Sequence, residues 1–230
     1  MQTKSSSPAK PTSGKRRIFV VDDHPIVRRG LVQLIGHEAD LEVCGEAEDA
    51  QTALRAIKEA KPDLVLLDVS LKESDGLELA KELRVHVPDL AILMLSMHDE
   101  ALYTERALRA GARGYLMKEE APQTLLAAVR KVLDGGVYVS EKMSASLLQG
   151  MARGKRAGVE LPMDRLTDRE LEVFHQIGAG KTVKEIAEAL FLSVKTVESH
   201  REHIKEKLNI KTSAELLRFA TQNASKGGRN

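Results

Sequence analysis

Through the first 134 positions, apolar residues come in short runs that end on polar ones. Ile18-Phe19-Val20-Val21 is followed by Asp22 and Asp23, and Leu64-Val65-Leu66-Leu67 by Asp68. Ala91-Ile92-Leu93-Met94-Leu95 is followed by Ser96, and Tyr115-Leu116-Met117 by Lys118. Together with 41–46, these runs read as buried strands over 17–22, 41–46, 63–68, 91–96 and 113–117. Helix-like segments near 25–36, 49–60, 76–86, 99–110 and 122–133 alternate with them. Pro62, Pro88 and Pro122 fall at the boundaries, and Gly135-Gly136 stops the last helix. Strand then helix, repeated in this way, predicts an α/β doubly wound five-stranded parallel sheet with right-handed crossovers.

Beyond Gly136 the pattern changes to helices. Ser140 to Met151 reads as a short helix with Ser140 as N-cap. Gly150 to Gly158, rich in Gly, Arg and Lys, reads as a linker. Thr167 and Glu170 form a capping box that starts a helix running to about Ala179, where Gly180 ends it. Further helices follow at Thr182–Leu190, Ser193–Leu208 and Ser213–Thr221. The expected division is a disordered tail at 1–15, an α/β domain at 16–134, a linker at 135–160 and a small all-α domain at 161–226.

Composition narrows the class. The chain has 230 residues, 42% hydrophobic and 30% charged, which fits a soluble globular protein of one or two domains. Aromatics are only 3%, so aliphatic residues and Met must build the cores. Cys44 is the single cysteine, which excludes a disulfide framework within the chain and fits a reducing compartment. No apolar run approaches the roughly 20 residues that cross a bilayer, and the Ser/Pro/Lys-rich start has no signal-peptide core. A cytoplasmic protein with no membrane partner is expected. Charge is uneven: 18–134 holds 14 Lys+Arg against 22 Asp+Glu, a net −8, while 161–230 holds 12 against 10, a net +2. Different partners for the two parts follow.

The polar residues that end the strands carry the candidate chemistry. In an open parallel sheet, ligand-binding groups gather outside the carboxyl ends of the strands. Asp22, Asp23, Asp68, Ser96 and Lys118 would therefore share one pocket, suited to a divalent cation and a phosphoryl group. Mg²⁺ takes oxygen ligands and keeps several waters. A carboxylate can act as nucleophile toward phosphorus, and Lys118 can neutralise phosphoryl oxygens. The histidines show no metal-binding spacing. Taken singly, each residue also has a plainer reading: Asp22-Asp23 as helix caps, Asp68 as a turn residue, Ser96 as a cap, Tyr115 as core and Lys118 as surface.

The helices at 182–190 and 193–208, joined by Phe191-Leu192, pack as two short helices that can place the second in a DNA major groove. Val194, Val197, Ile204 and Leu208 supply its apolar face. Lys195, Thr196, Glu198, Ser199, Arg201, Glu202 and Lys205 form the outward face, with donors for phosphate and base edges. The pattern alone also fits a helical bundle that binds protein.

Val20-Val21-Asp22-Asp23-His24-Pro25, Leu66-Leu67-Asp68, Leu95-Ser96 and Gly114-Tyr115-Leu116-Met117-Lys118 together resemble a response-regulator receiver domain over 16–134. Residues 161–224 resemble a LuxR-type helix-turn-helix, and the whole is similar to NarL/FixJ-type two-component transcription regulators. The resemblance implies Asp68 as phosphoacceptor and a Mg²⁺ site from Asp22, Asp23, Asp68 and the backbone carbonyl of Ser70. It further implies Ser96 as switch hydroxyl, Tyr115 as switch aromatic and Lys118 as the phosphoryl-binding lysine. Glu198, Ser199 and Glu202 would read bases, and the last helix would form a dimer. The implied partners are a sensor histidine kinase, double-stranded DNA, RNA polymerase and a second copy once phosphorylated. Two features depart from the pattern: 71–76 lacks the usual proline, and Met97 stands where a small residue is common. A magnesium-dependent phosphohydrolase and a protein-binding adaptor are the alternatives.

Overall fold

The computed structural model describes residues 14–71, 74–97, 100–152, 162–190 and 192–227. Most of the expected tail, Lys72 and Glu73, the 153–160 part of the expected 135–160 linker and Phe191 lie outside the described residues. In chain order the elements are β1 (Arg16–Val21), α1 (Pro25–Gly36), β2 (Leu41–Ala47), α2 (Ala50–Ala60) and β3 (Leu64–Asp68). Next come β4 (Ser70–Leu71), β5 (Ser74–Asp75), α3 (Gly76–His86), β6 (Ala91–Ser96), α4 (Glu100–Ala110), β7 (Gly114–Met117) and α5 (Pro122–Leu133). The helical part holds α6 (Glu141–Ala152), a 3-10 turn at Pro162–Arg165, α7 (Asp168–Gly178), α8 (Val183–Ala189), α9 (Val194–Leu208) and α10 (Ser213–Gly227).

Five strands form one parallel sheet in the order β2-β1-β3-β6-β7. Alternate side chains leave opposite faces of a strand, and each face has its own apolar layer. Phe19, Val65, Leu67, Ile92 and Met94 meet Ile57, Leu83 and Ala107 of α2, α3 and α4. Ile18, Val20, Leu64, Leu66 and Leu93 meet Ile35 and Val129 of α1 and α5. This is why the strands read as unbroken apolar runs. The chain runs from β1 out to β2 and returns to β3 on the other side of β1. The sheet's switch point thus lies between β1 and β3.

Three features extend the reading. β4 and β5 pair antiparallel as a small hairpin directly after Asp68. Behind α5, Tyr138 bridges β7 at Gly114, and its backbone accepts from Tyr115 and donates to Arg113, covering that sheet edge. α10 reaches Gly227, beyond the expected Thr221.

The helical domain starts on the expected capping box. The Thr167 side chain accepts from Glu170 N, and Glu170 reaches back to Thr167 N at 2.8 Å. Gly180, at φ +80, supplies the left-handed turn behind α7. Phe174, Ile186, Val197, Ile204, Leu216 and Ala220 fill the core. Val194 corrects the expected apolar face of α9: at the first helical position it points outward and is 42% exposed.

Candidate functional site

β1, β3, β6 and β7 each deliver a polar group to the carboxyl edge of the sheet. β1, β3 and β6 are consecutive neighbours and β7 borders β6, so the four ends lie side by side. Asp22 and Asp68 are buried; Asp23 is partly so. Lys118 Nζ lies 2.7 Å from Asp22 Oδ2 and 2.7 Å from Asp68 Oδ2. The backbone fixes the rest: His24 N–H donates to Asp22 Oδ1 at 2.8 Å, Ser70 N–H to Asp68 Oδ1 at 3.2 Å, and Lys118 N–H to the Ser96 carbonyl at 2.8 Å.

Charge in this pocket is unbalanced, with three carboxylates facing one ammonium. Burial pushes the Asp68 carboxyl up to about 6, with Lys118 pulling it down and Asp22 pushing it further up. Burial pulls Lys118 down, but Asp68 and Asp22 outweigh that and hold its ammonium above the usual lysine range. Asp23 Oδ1 is buried, with His24 Nδ1 2.7 Å away. Three carboxylates gathered beside one ammonium fit a hard divalent cation with oxygen ligands.

His24 was not expected here. Its Nδ1 lies 2.7 Å from Asp23 Oδ1, and His24 can offer a ligand atom within 4.8 Å of those of Asp22, Asp23 and Asp68. Chain spacing hid this, because the two aspartates that complete the group adjoin His24 while Asp68 arrives from another strand. Gly76 was also missed. A Cβ there would come within 2.0 Å of the Asp68 carbonyl oxygen, so only glycine lets α3 begin this close to β3. Ser96 and Tyr115 are buried at the ends of β6 and in β7. Met97, beside Ser96, is 57% exposed at the sheet edge.

In the helical domain, α9 presents Lys195, Glu198, Ser199 and Glu202 to solvent, with Thr196, Arg201 and Lys205 partly covered. Thr196 is engaged with Ser193 at 2.7 Å, and Lys205 Nζ with Glu202 at 2.7 Å. Lys207 turns inward onto Glu170, and burial lowers the His200 imidazole below the usual histidine range. The outward face therefore mixes Lys195 with two carboxylates. On α10, Leu216 and Ala220 are buried in the domain core, whereas Leu217 is exposed.

The two parts also touch. Ser70 Oγ donates to Glu172 Oε1 of α7 at 2.6 Å, and the Arg106 guanidinium of α4 donates to the Leu166 carbonyl.

Comparisons with known proteins match both parts. Residues 18–130 match the family described as response regulator receiver domain, and residues 164–220 match bacterial regulatory proteins, luxR family. Over 208 residues the chain is 38% identical to the oxygen regulatory protein NreC of Staphylococcus aureus (strain MRSA252), covering 89% of this chain and 96% of that protein. A crystal structure of a LuxR-family two-component response regulator from Aurantimonas sp. SI85-9A1 is 33% identical, with TM-score 0.56, over 60% of this chain and 99% of that one. RcsB from Salmonella enterica serovar Typhimurium, bound to promoter rprA in the presence of the phosphomimetic BeF3−, is 26% identical with TM-score 0.55. That match covers 90% of this chain and 99% of RcsB.

Proposed function

The chain belongs to the two-component response regulators that join a receiver domain to a LuxR-type helix-turn-helix, and on that premise we propose that a phosphoryl group on Asp68 controls how the second domain engages DNA. It is a DNA-binding transcription regulator and not an enzyme, as its family is. The observation that carries the proposal is the convergence of Asp22, Asp23, Asp68 and Lys118 from three strand ends of the sheet.

An Asp68 carboxylate oxygen attacks phosphorus of a phosphohistidine on a sensor kinase. The P–O bond forms, the P–N bond breaks with its electron pair going to the ring nitrogen, and that nitrogen takes a proton from solvent water as the histidine leaves. Lys118 already contacts Asp68 and can pair with the phosphoryl oxygens. Asp22, Asp23, Asp68 and the Ser70 carbonyl would hold Mg²⁺, which when bound neutralises charge on the phosphoryl group. Ser96 would accept the new group as a hydrogen-bond donor, and Tyr115 would repack behind it, changing the α4–β7–α5 surface.

The proposed units are the receiver at 16–134, a linker at 135–160 and the DNA-binding domain at 161–226, with a tail at 1–15. Lys195, Thr196, Glu198, Ser199, Arg201, Glu202 and Lys205 would face the major groove. A net charge of +2 over 161–230 gives one copy weak affinity, so binding as a homodimer to two half-sites is the favoured arrangement. RNA polymerase would be a further partner of the bound dimer. Among the described residues no helix is long and apolar enough to cross a membrane; the proposed place of action is the cytoplasm, where the DNA lies.

Retention on duplex DNA tests the proposal. Treatment with Mg²⁺ and a phosphodonor is expected to raise the affinity of the wild type and leave Asp68→Asn unchanged. A variant that responds as the wild type does would overturn it.

A further inference from the structure

The sheet has a second pole. At the amino ends of its strands, opposite the phosphoryl pocket, lies a cavity of about 640 Å³. That volume falls within the roughly 300–1,000 Å³ typical of small-molecule sites. Ile57, Pro62, Leu90 and Leu133 give it an apolar floor, and the first three are buried. Arg16, Lys58, Lys61 and Arg113 stand around it, against the two carboxylates of Asp63 and Asp89. This local surplus of cations belongs to a domain whose 18–134 stretch carries a net −8. Neutralising helix ends does not account for it. The last carbonyls of α2 and α5 face this pole and carry partial negative charge, but two arginines already serve them. Arg17 donates to the Ala60 carbonyl at 2.6 Å, and Arg16 to the Leu133 carbonyl at 2.7 Å. Asp63 is engaged as well: it accepts from the Arg17 N–H at 2.8 Å, with the Arg16 guanidinium at 3.8 Å. Among the described residues, Lys58, Lys61 and Arg113 have no carboxylate within ion-pair distance. Lys61 adds an independent sign. It caps α2 in the left-handed region, at φ 47, where glycine or asparagine ordinarily stands. A lysine is strained there, and this one borders the cavity.

We propose that this cavity binds a small organic phosphate, with its apolar body on Ile57, Pro62 and Leu90 and its phosphate among Lys58, Lys61 and Arg113. The site goes beyond the reading of Asp68 and does not depend on it. A lysine pairs with phosphate as a point charge, and an arginine guanidinium can grip two of its oxygens. Three cations without carboxylate partners suit a dianion, which a phosphate monoester is at pH 8; a single carboxylate answers them less fully. The floor favours an ester over bare phosphate, because an apolar body removes Ile57, Pro62 and Leu90 from contact with water. Asp63 and Asp89 repel further negative charge, which sets the site against polyphosphates. Lys58 and Lys61 are exposed, so binding is modest and weakens with added salt.

The test uses the full chain in EDTA, which keeps divalent cations from the Asp68 pocket, and phenyl phosphate as the probe. Amide NMR spectra locate the probe and calorimetry gives its affinity. Shifts are expected at 58–63, 87–91 and 113, and not at Asp22, Asp68 or α9. Inorganic phosphate, which lacks the ring, and benzoate, which lacks the phosphate, are each expected to bind about tenfold more weakly or worse. Lys61→Asn removes the charge and keeps the left-handed cap, which asparagine tolerates; Arg113→Gln removes the guanidinium. Each is expected to weaken phenyl phosphate about tenfold, while Lys81→Gln, outside the cavity, leaves it unchanged. Absence of saturable binding, shifts centred on Asp68 or α9, or wild-type affinity in both Lys61→Asn and Arg113→Gln would overturn the site. Inorganic phosphate binding as tightly as phenyl phosphate would refute the apolar floor, and benzoate doing so would refute phosphate as the head group.

Discussion

Replacing the phosphoacceptor Asp68 by Asn is expected to stabilise the protein whenever divalent cations are absent. Burial, opposed by Lys118 and reinforced by Asp22, places the Asp68 carboxyl at about 6, against an ordinary 3.8. A folded-state value above the unfolded one means that folding favours the protonated acid. The stability lost to its ionisation is therefore nil below pH 3.8, grows between 3.8 and about 6, and is complete above that. A shift of this size corresponds to about 3 kcal/mol. Asn keeps the shape and removes the charge, so a gain of about 1–3 kcal/mol is expected at pH 8, or roughly 3–10 °C in Tm. Thermal unfolding followed by circular dichroism in EDTA measures it, at pH 8 and again at pH 5, where the gain shrinks. Excess Mg²⁺ supplies the missing positive charge and should erase the advantage. A lower Tm for Asp68→Asn in EDTA at pH 8, or an equal gain at both pH values, would refute the electrostatic account of the pocket.

Three other outcomes follow from the same geometry. Lys118→Met leaves Asp22 and Asp68 without the ammonium that touches both, and is expected to cost about 3 kcal/mol in denaturant melts without Mg²⁺; an unchanged midpoint would contradict it. Gly76→Ala would push its Cβ into the Asp68 carbonyl oxygen, so it is expected to destabilise by about 2 kcal/mol and to weaken beryllium fluoride binding, both checked by melts and calorimetry. Lys195→Ala, on the exposed face of α9, is expected to weaken DNA binding evenly across sequences and to lower the salt slope by about 1. A loss confined to one sequence would instead make Lys195 a base reader.

The sheet and its pocket were legible because they rest on local signals. Buried parallel strands leave unbroken apolar runs, and the pair Asp22-Asp23, then Asp68, Ser96 and Lys118 end four of them. What was not legible depends on pairs far apart in the chain or on elements too short to have a period. Two-residue strands such as Ser70–Leu71 and Ser74–Asp75 carry no alternation to read. Glu172, in a charged stretch of α7, reads as a solvated position; it is buried, with Ser70, 102 residues earlier, donating to it. Val194 sits on the apolar spacing of α9 yet is 42% exposed, while Val197, one turn on, is fully buried. Leu216 and Leu217 adjoin in sequence, and only packing decides that the first enters the core and the second stays exposed.

Intact-mass measurement of the phosphorylated protein tests the central claim most directly. After incubation with Mg²⁺ and a phosphorylated sensor kinase or acetyl phosphate, the wild type is expected to gain one phosphoryl group, and Asp68→Asn none. The adduct should be lost on mild base treatment, as an acyl phosphate is, and the phosphorylated fraction should bind DNA more tightly than the rest. An adduct of equal size on Asp68→Asn, or phosphorylated wild type that binds DNA like the unmodified chain, would contradict the account.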